Sequence, residues 1–230
     1  MSWLARFDVG ERTARLQGIR DNYGWHKKLW DCFPGEPDRK RDFLTRIDER
    51  DEYYRVWLLS GNKPARPVWC PPADFGLKEI APSFLGHRRY AFDVKANPVK
   101  TVVQRGPNGE TFFRPNGKRK HGKRVPIVKY EELLEWIRRK GEVRCRDVQT
   151  GLDIPGGFIV VEDENLPLEI TPMVENHFRK QEHAGYHGGV QFRGTLEVTN
   201  KEHFTETYYA GIGSAKAFGF GLMLLAPVGE

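Results

Sequence analysis

The chain has 230 residues, room for one large domain or two small ones around a buried core. Hydrophobic residues (39%) and aromatics (12%) are too plentiful for a disordered chain. Lys and Arg number 37 against 31 Asp and Glu, and the formal charge of +6 puts nucleic acid first among acidic partners without identifying one.

The three cysteines, Cys32, Cys70 and Cys145, form no C-x-x-C pair, which argues against a zinc ribbon and fits a reducing compartment. Residues 1–10 carry Arg6 and Asp8 and lack the apolar run of a signal peptide, and no stretch approaches the length of a membrane span. The expectation is a cytoplasmic protein without membrane attachment.

Trp3, Ala5, Phe7 and Val9 alternate at period two, predicting a strand over 2–9 and a loop at Gly10. Asp21 or Asn22 can cap a helix on which Trp25, Leu29, Cys32 and Phe33 recur at helical spacing, until Pro34-Gly35 ends it. Residues 43–48 and 53–60 predict two strands joined by a charged turn. The Pro- and Gly-rich stretch 61–87 reads as a linker with room for one short element, closing a first domain over 1–87. A second domain over 88–230 opens with a strand at 89–96, where Tyr90, Phe92 and Val94 alternate. After a basic segment at 103–124 comes a helix at 130–140, with Leu133, Leu134, Trp136 and Ile137 on its apolar face. Strands follow at 156–161, 168–174 and 190–198, then a helix at 201–209, a glycine loop and a last strand at 221–227. Repeated βαββ-type order predicts an α+β protein of two tandem ferredoxin-like (RRM-like) domains with antiparallel sheets, a frame that also serves as an RNA platform.

Four features carry candidate chemistry. Tyr23 and His26, three apart on the first helix, share a face. RNA cleavage needs a base for the 2′-OH, an acid for the departing 5′-oxygen and positive charge near the phosphorane, which one His, one Tyr and a few Lys residues can supply without a metal. By spacing alone such a pair is more often plain helix surface. Arg114, Lys118, Arg119, Lys120, Lys123 and Arg124 lie in a run with no acid, with two Gly-Lys-Arg triplets; this favours nucleic acid over a solvated loop. His177 to His187, with Arg179, Lys180 and His183, reads equally as a basic hairpin for an RNA stem or as a polar turn; its histidines match no metal-ligand spacing. Gly211 to Gly221 is neither a Walker loop nor a dinucleotide fingerprint; its glycines, Ser214 and Lys216 suit either a phosphate or a tight packed turn.

Taken in order, these segments resemble the CasE (Cse3) family, the RNA-processing subunit of type I-E Cascade. The resemblance rests on the opening strand, Asn22 to Trp30, Val94-Lys95-Ala96-Asn97-Pro98-Val99, Gly122-Lys123-Arg124-Val125-Pro126, Leu134-Glu135-Trp136-Ile137, Phe192 to Val198 and Gly211 to Leu222. It implies metal-independent cleavage of precursor CRISPR RNA at the base of the repeat hairpin, leaving 5′-hydroxyl and 2′,3′-cyclic phosphate ends. It also implies a protein that is a monomer when free, needs no cofactor, and stays on its crRNA with the other Cascade subunits. By matching position His26 takes the catalytic role, as acid or as base, and Tyr23 assists. Lys27 and Lys28 would stabilise charge; Gly213 to Lys216 would meet RNA backbone; Arg179 and Lys180 would engage the stem. Two departures stand out: the segment from Gln104 to Lys120 is long for the family, leaving open which Gly-Lys-Arg triplet matches, and Asp31 occupies a place where relatives carry a basic residue. The competing readings are a non-catalytic RNA-binding scaffold subunit, which would need neither Tyr23 nor His26, and an enzyme acting on a small phosphate ligand, against which the missing nucleotide loop counts.

Overall fold

The computed structural model describes residues 2–35, 41–103, 105, 108, 110, 112–113, 122–147, 149–172, 176–180, 183–187 and 189–229. Its elements in chain order are β1 (Trp3–Gly10), α1 (Glu11–Leu16), α2 (Asn22–Lys28), β2 (Phe43–Glu49), β3 (Tyr53–Ser60), β4 (Phe75–Glu79), β5 (Arg89–Ala96), β6 (Val99–Val102) and β7 (Lys123–Pro126). They continue with α3 (Tyr130–Glu142), β8 (Val143–Arg146), β9 (Asp153–Pro155), β10 (Phe158–Val161), β11 (Glu169–Pro172), β12 (Asn176–Lys180), β13 (His183–His187), β14 (Val190–Val198), α4 (Lys201–Ala210) and β15 (Met223–Pro227).

Two antiparallel sheets organise the molecule, in the orders β2-β3-β1-β4 and β10-β14-β5-β15. Each places the first strand of its unit between the third and fourth, the ferredoxin-like order. Proline-rich residues 61–87 are not merely a linker: Phe75–Glu79 pairs along β1 and completes the first sheet. The first unit keeps this order although no α-helix lies between its third and fourth strands among the described residues.

Each sheet buries one face under a helix. On β1, Ala5, Phe7 and Val9 point to a core shared with Trp25 of α2, with Leu29 and Cys32 of the 3-10 turn Leu29–Cys32 that extends it, and with Phe33 just beyond. Trp136 and Ile137 of α3 and Phe204 and Tyr208 of α4 cover Tyr90, Phe92, Phe192 and Leu196 in the second unit. Strand β2 is buried on both faces: Phe43 belongs to the first core, while its neighbour Leu44 belongs to the second. The two units therefore meet across the β2–β3 face, and polar residues of β2 on that face are buried with it. Arg46, 3% exposed, donates through Nε to Asp48 (2.9 Å) and through both terminal nitrogens to Asp93 on β5 (2.8 and 3.0 Å). Lys95 of β5 closes the network on Asp48 at 2.6 Å.

No helix among the described residues is long and apolar enough to cross a membrane.

Candidate active site

Helix α2 starts where the sequence expects it. The Asp21 carboxylate accepts the Gly24 N–H at 2.7 Å, filling one of the amide donors left open at a helix start. Trp25 anchors the inner face at 4% exposure. Tyr23 and His26 are half-buried on the outer part of the helix, and among the described residues neither the phenol nor the imidazole is engaged in a hydrogen bond. Burial, reinforced by the positive charge of Arg41, lowers the His26 pKa from 6.5, so the ring is neutral at physiological pH.

The cations beside it differ in availability. Lys27 is exposed and sits 4.5 Å from the centroid of the Tyr23 ring. Lys28 is paired with Asp31 at 2.8 Å, and the same carboxylate accepts the Trp69 indole N–H at 2.7 Å. Asp31 thus neutralises Lys28 locally. Sequence reasoning did not single out Arg41, which nothing in a one-dimensional pattern ties to His26. It reaches across from the edge of β2 and donates to the Lys216 carbonyl at 2.6 Å.

Helix α2 packs against the short 3-10 turn Lys216–Phe218 and lies beside β12. This brings the glycine loop and the basic hairpin to the His26 helix. The loop is a contorted turn: Gly211, Gly213, Gly219 and Gly221 have positive φ, and Ala215 (φ 58°) does so without being glycine. A Cβ on Gly211 would fall 2.8 Å from Leu44, and one on Gly221 would fall 2.5 Å from the Ile212 carbonyl oxygen. Packing against backbone therefore favours glycine at 221, and the positive φ favours it at both positions, whatever else they do. Replacing Gly221 by alanine combines left-handed strain with that clash; a loss of about 2 kcal/mol or more in urea unfolding is expected.

Ser214 Oγ donates to the Asn97 carbonyl at 3.3 Å, which ties the loop to the Ala-Asn-Pro segment. Lys216 Nζ donates to the Ala210 carbonyl at 2.6 Å. Burial lowers the Lys216 ammonium, and Arg144, Lys140 and Arg41 push it further, against an opposing contribution from Cys145. Arg41, Lys140 and Arg144 are thus near enough for their charges to act on the Lys216 ammonium.

Lys123 and Arg124 are exposed on β7, opposite Val102 and Thr101 of β6. Arg114, Lys118, Arg119 and Lys120 lie outside the described residues. Arg179 and Lys180 belong to β12, which pairs with β13 in a two-stranded antiparallel hairpin. Among the described residues no three His, Cys, Asp or Glu side chains gather as metal ligands would.

Two sheets of identical strand order, joined across β2 and crossed by helices on their outer faces, make this a tandem ferredoxin-like α+β protein. A family described as CRISPR associated protein matches residues 2–227. The Cascade subunit CasE of Escherichia coli strain K12 is 30% identical over 216 residues, 91% of this chain and 94% of that protein. The CRISPR-associated endoribonuclease Cse3 of Thermus thermophilus is 29% identical over 160 residues, 66% of this chain and 63% of that one. In fold, the chain is similar to the crystal structure of Escherichia coli K-12 Cas6e (TM-score 0.66, 24% identity, 99% of this chain and 100% of that one). It is also similar to Thermus thermophilus Cse3 bound to an RNA representing a pre-cleavage complex (TM-score 0.69, 23% identity, 98% and 99%). The chain belongs to the CasE/Cse3 family of CRISPR-associated proteins.

Proposed function

We propose that this protein is a cytoplasmic endoribonuclease that cuts precursor CRISPR RNA within each repeat, at the base of the hairpin, and remains on the crRNA as a Cascade subunit. The observation that carries this reading is His26: a half-buried imidazole that burial and Arg41 hold below its ordinary pKa, without a hydrogen bond among the described residues, on a capped helix that packs on the glycine-loop turn and lies beside β12. Neutral imidazole is the form that takes a proton. His26 removes the proton of the ribose 2′-OH as that oxygen attacks the adjacent phosphorus; the P–O5′ bond breaks, the departing 5′-oxygen takes a proton from solvent, and the imidazolium returns its proton to solvent. The products are a 2′,3′-cyclic phosphate and a 5′-hydroxyl, with no hydrolytic water consumed. Tyr23, on the same helix face, assists by hydrogen bonding to the reacting group. Lys27 and the turn at Gly213–Lys216 supply contacts to the RNA backbone, and Arg179 and Lys180 engage the stem.

The deciding experiment is cleavage of a repeat hairpin in chelator by the wild-type protein and by His26→Ala. Loss of cutting with retained binding supports the reading, and equal cutting by both ends it. A companion measurement concerns the basic segment. Replacing Lys118, Arg119, Lys123 and Arg124 together by alanine weakens hairpin binding and flattens its dependence on salt, by roughly 0.7–0.9 in log–log slope for each phosphate that these side chains neutralise. An unchanged slope would place the RNA track elsewhere.

A further inference from the structure

Cleavage by the route above puts extra negative charge on the non-bridging phosphate oxygens, and something positive must meet it. The cations of helix α2 are poorly disposed for the task. Lys28 is neutralised by Asp31 at 2.8 Å, and Lys27 stands exposed over the Tyr23 ring. We propose that Arg41 is a catalytic cation of this site, its guanidinium touching the scissile phosphate from the side opposite helix α2 and neutralising the charge that develops there. This rests on the cleavage reading of His26.

Three observations support it. First, Arg41 and the helix that carries His26 meet one feature from different elements: α2 packs on the Lys216–Phe218 turn, and Arg41 donates to the Lys216 carbonyl of that same turn. Second, the guanidinium is held in place but, among the described residues, not satisfied. Its central carbon lies 5.2 Å from the Phe43 ring centroid, its Nε is buried without a hydrogen-bond partner, and among the described residues no carboxylate pairs with it. An unpaired, partly desolvated cation is costly to maintain, and an anion that arrives with substrate removes the cost. Arginine offers five N–H donors in a planar fork suited to phosphate oxygens, and only the Nη2 bond to Lys216 uses this fork among the described residues. Third, there is room: a recess of about 260 Å³ is lined by residues 41–44, the Asp42 carboxylate included, and by Tyr209, Ala210 and Lys216.

The charge of Arg41 is also felt at the imidazole. Lys27 and Lys28 on its own helix and Lys216 on the packed turn are the other described cations nearby, yet Arg41 is the charged group that, after burial, lowers His26. The same side chain therefore adds to burial in disfavouring protonation of the base, and it meets the charge that the reaction creates.

The test is single-turnover cleavage of a repeat hairpin at saturating protein, with affinity measured separately on the same hairpin carrying a 2′-deoxy nucleotide at the cleavage position. Arg41→Gln is expected to lose about 10²–10³ in cleavage rate while affinity falls less than about tenfold, as for removal of a transition-state donor. Arg41→Lys, which keeps the charge but not the fork, recovers part of the rate. In the free protein, the His26 ring followed by NMR titrates at higher pH in Arg41→Gln than in wild type. Cleavage by Arg41→Gln within threefold of wild type, a loss wholly in affinity, or an unshifted His26 titration would each overturn the inference. If Arg41→Gln does not fold, as judged by its melting curve, Arg41→Ala in added guanidinium is read instead: restored cutting supports the role, and a folded variant that gains nothing opposes it. His26→Ala, run in parallel, separates the two levels. A dead His26→Ala beside fully active Arg41 variants removes only this inference, whereas an active His26→Ala removes the reading beneath it.

Discussion

Replacing His26 with alanine or glutamine should slow cleavage of the repeat hairpin by about 10²–10⁴ at saturating protein, the usual range for a group that transfers a proton in the transition state. Binding should change little, because the imidazole is one neutral group among many cationic contacts. The pH profile gives the prediction its sign. Burial and the Arg41 charge hold the ring below its ordinary value of 6.5, so the basic form predominates at neutral pH. If His26 takes the 2′-OH proton, the rate at sub-saturating protein, which reports the free enzyme, is flat near neutrality. It then falls as the pH drops through the lowered pKa, with its midpoint below 6.5. If His26 serves instead as the acid, the same rate declines as the pH rises through that point. Sequence alone left this choice open, and the environment of the ring on α2 favours the base. A wild-type profile with no inflection in the acid range, matched by an unaffected His26→Gln, would remove His26 from the chemistry.

What could be read from the sequence, and what could not, follows from how far each signal reaches along the chain. Trp3, Ala5, Phe7 and Val9 announced β1, and Asp21 with Trp25, Leu29 and Cys32 announced α2, because local periodicity and a local cap define those elements. Helix α1 gave no such sign: it has six residues, its N-cap Gly10 contributes no side-chain bond, and Leu16 ends it 75% exposed. Strand β4 hid among prolines because a five-residue edge strand with no fully buried side chain needs neither a long apolar run nor alternation. It is recognisable only through its pairing with β1. The candidate site divides the same way. Tyr23 and His26 are legible as a helix pair. That Asp31 cancels Lys28 is a local i,i+3 effect open to sequence reasoning, but that Arg41 meets the Lys216 turn involves residues 175 positions apart, and only folding brings them together.

Arg46 illustrates the same limit and sets the largest expected effect on stability. In sequence it is the polar member of an alternating strand and would be assigned to solvent. In the fold the second unit covers that face, and Arg46 becomes the buried centre of the interface, bonded to Asp48 on its own strand and to Asp93 across the boundary. Gln191 (2.8 Å) and Arg193 (3.2 Å) complete the shell of Asp93, and the Trp57 indole N–H reaches Asp48 at 3.2 Å. Burial by itself would raise both carboxyls. For Asp48, Arg46 and Lys95 outweigh it and hold the group below its usual 3.8; for Asp93, hydrogen bonding and charge from Arg46 lead the same reversal.

Arg46→Met removes the partner the two carboxylates share and leaves Asp48 to Lys95 and Asp93 to Arg193 and Gln191, so urea unfolding at neutral pH should show a loss of about 3 kcal/mol, the low end for a broken buried pair. The pH dependence has a definite sign. Folded-state pKa values below the unfolded ones contribute stability that is complete above the unfolded value and disappears as the pH falls through the folded values. Wild-type protein should therefore hold its stability down to about pH 4 and lose it below. In Arg46→Met the carboxyls lose their main counter-charge, their folded pKa values rise, and acid unfolding moves to higher pH. A loss under about 1 kcal/mol would mean that the network is solvated and contributes little, as exposed ion pairs do. The consequence reaches the active site, because α2 belongs to the first unit and the glycine loop to the second. A splayed β2–β5 junction separates His26 from the Lys216 turn, so Arg46→Met should cut more slowly even at temperatures where it remains folded.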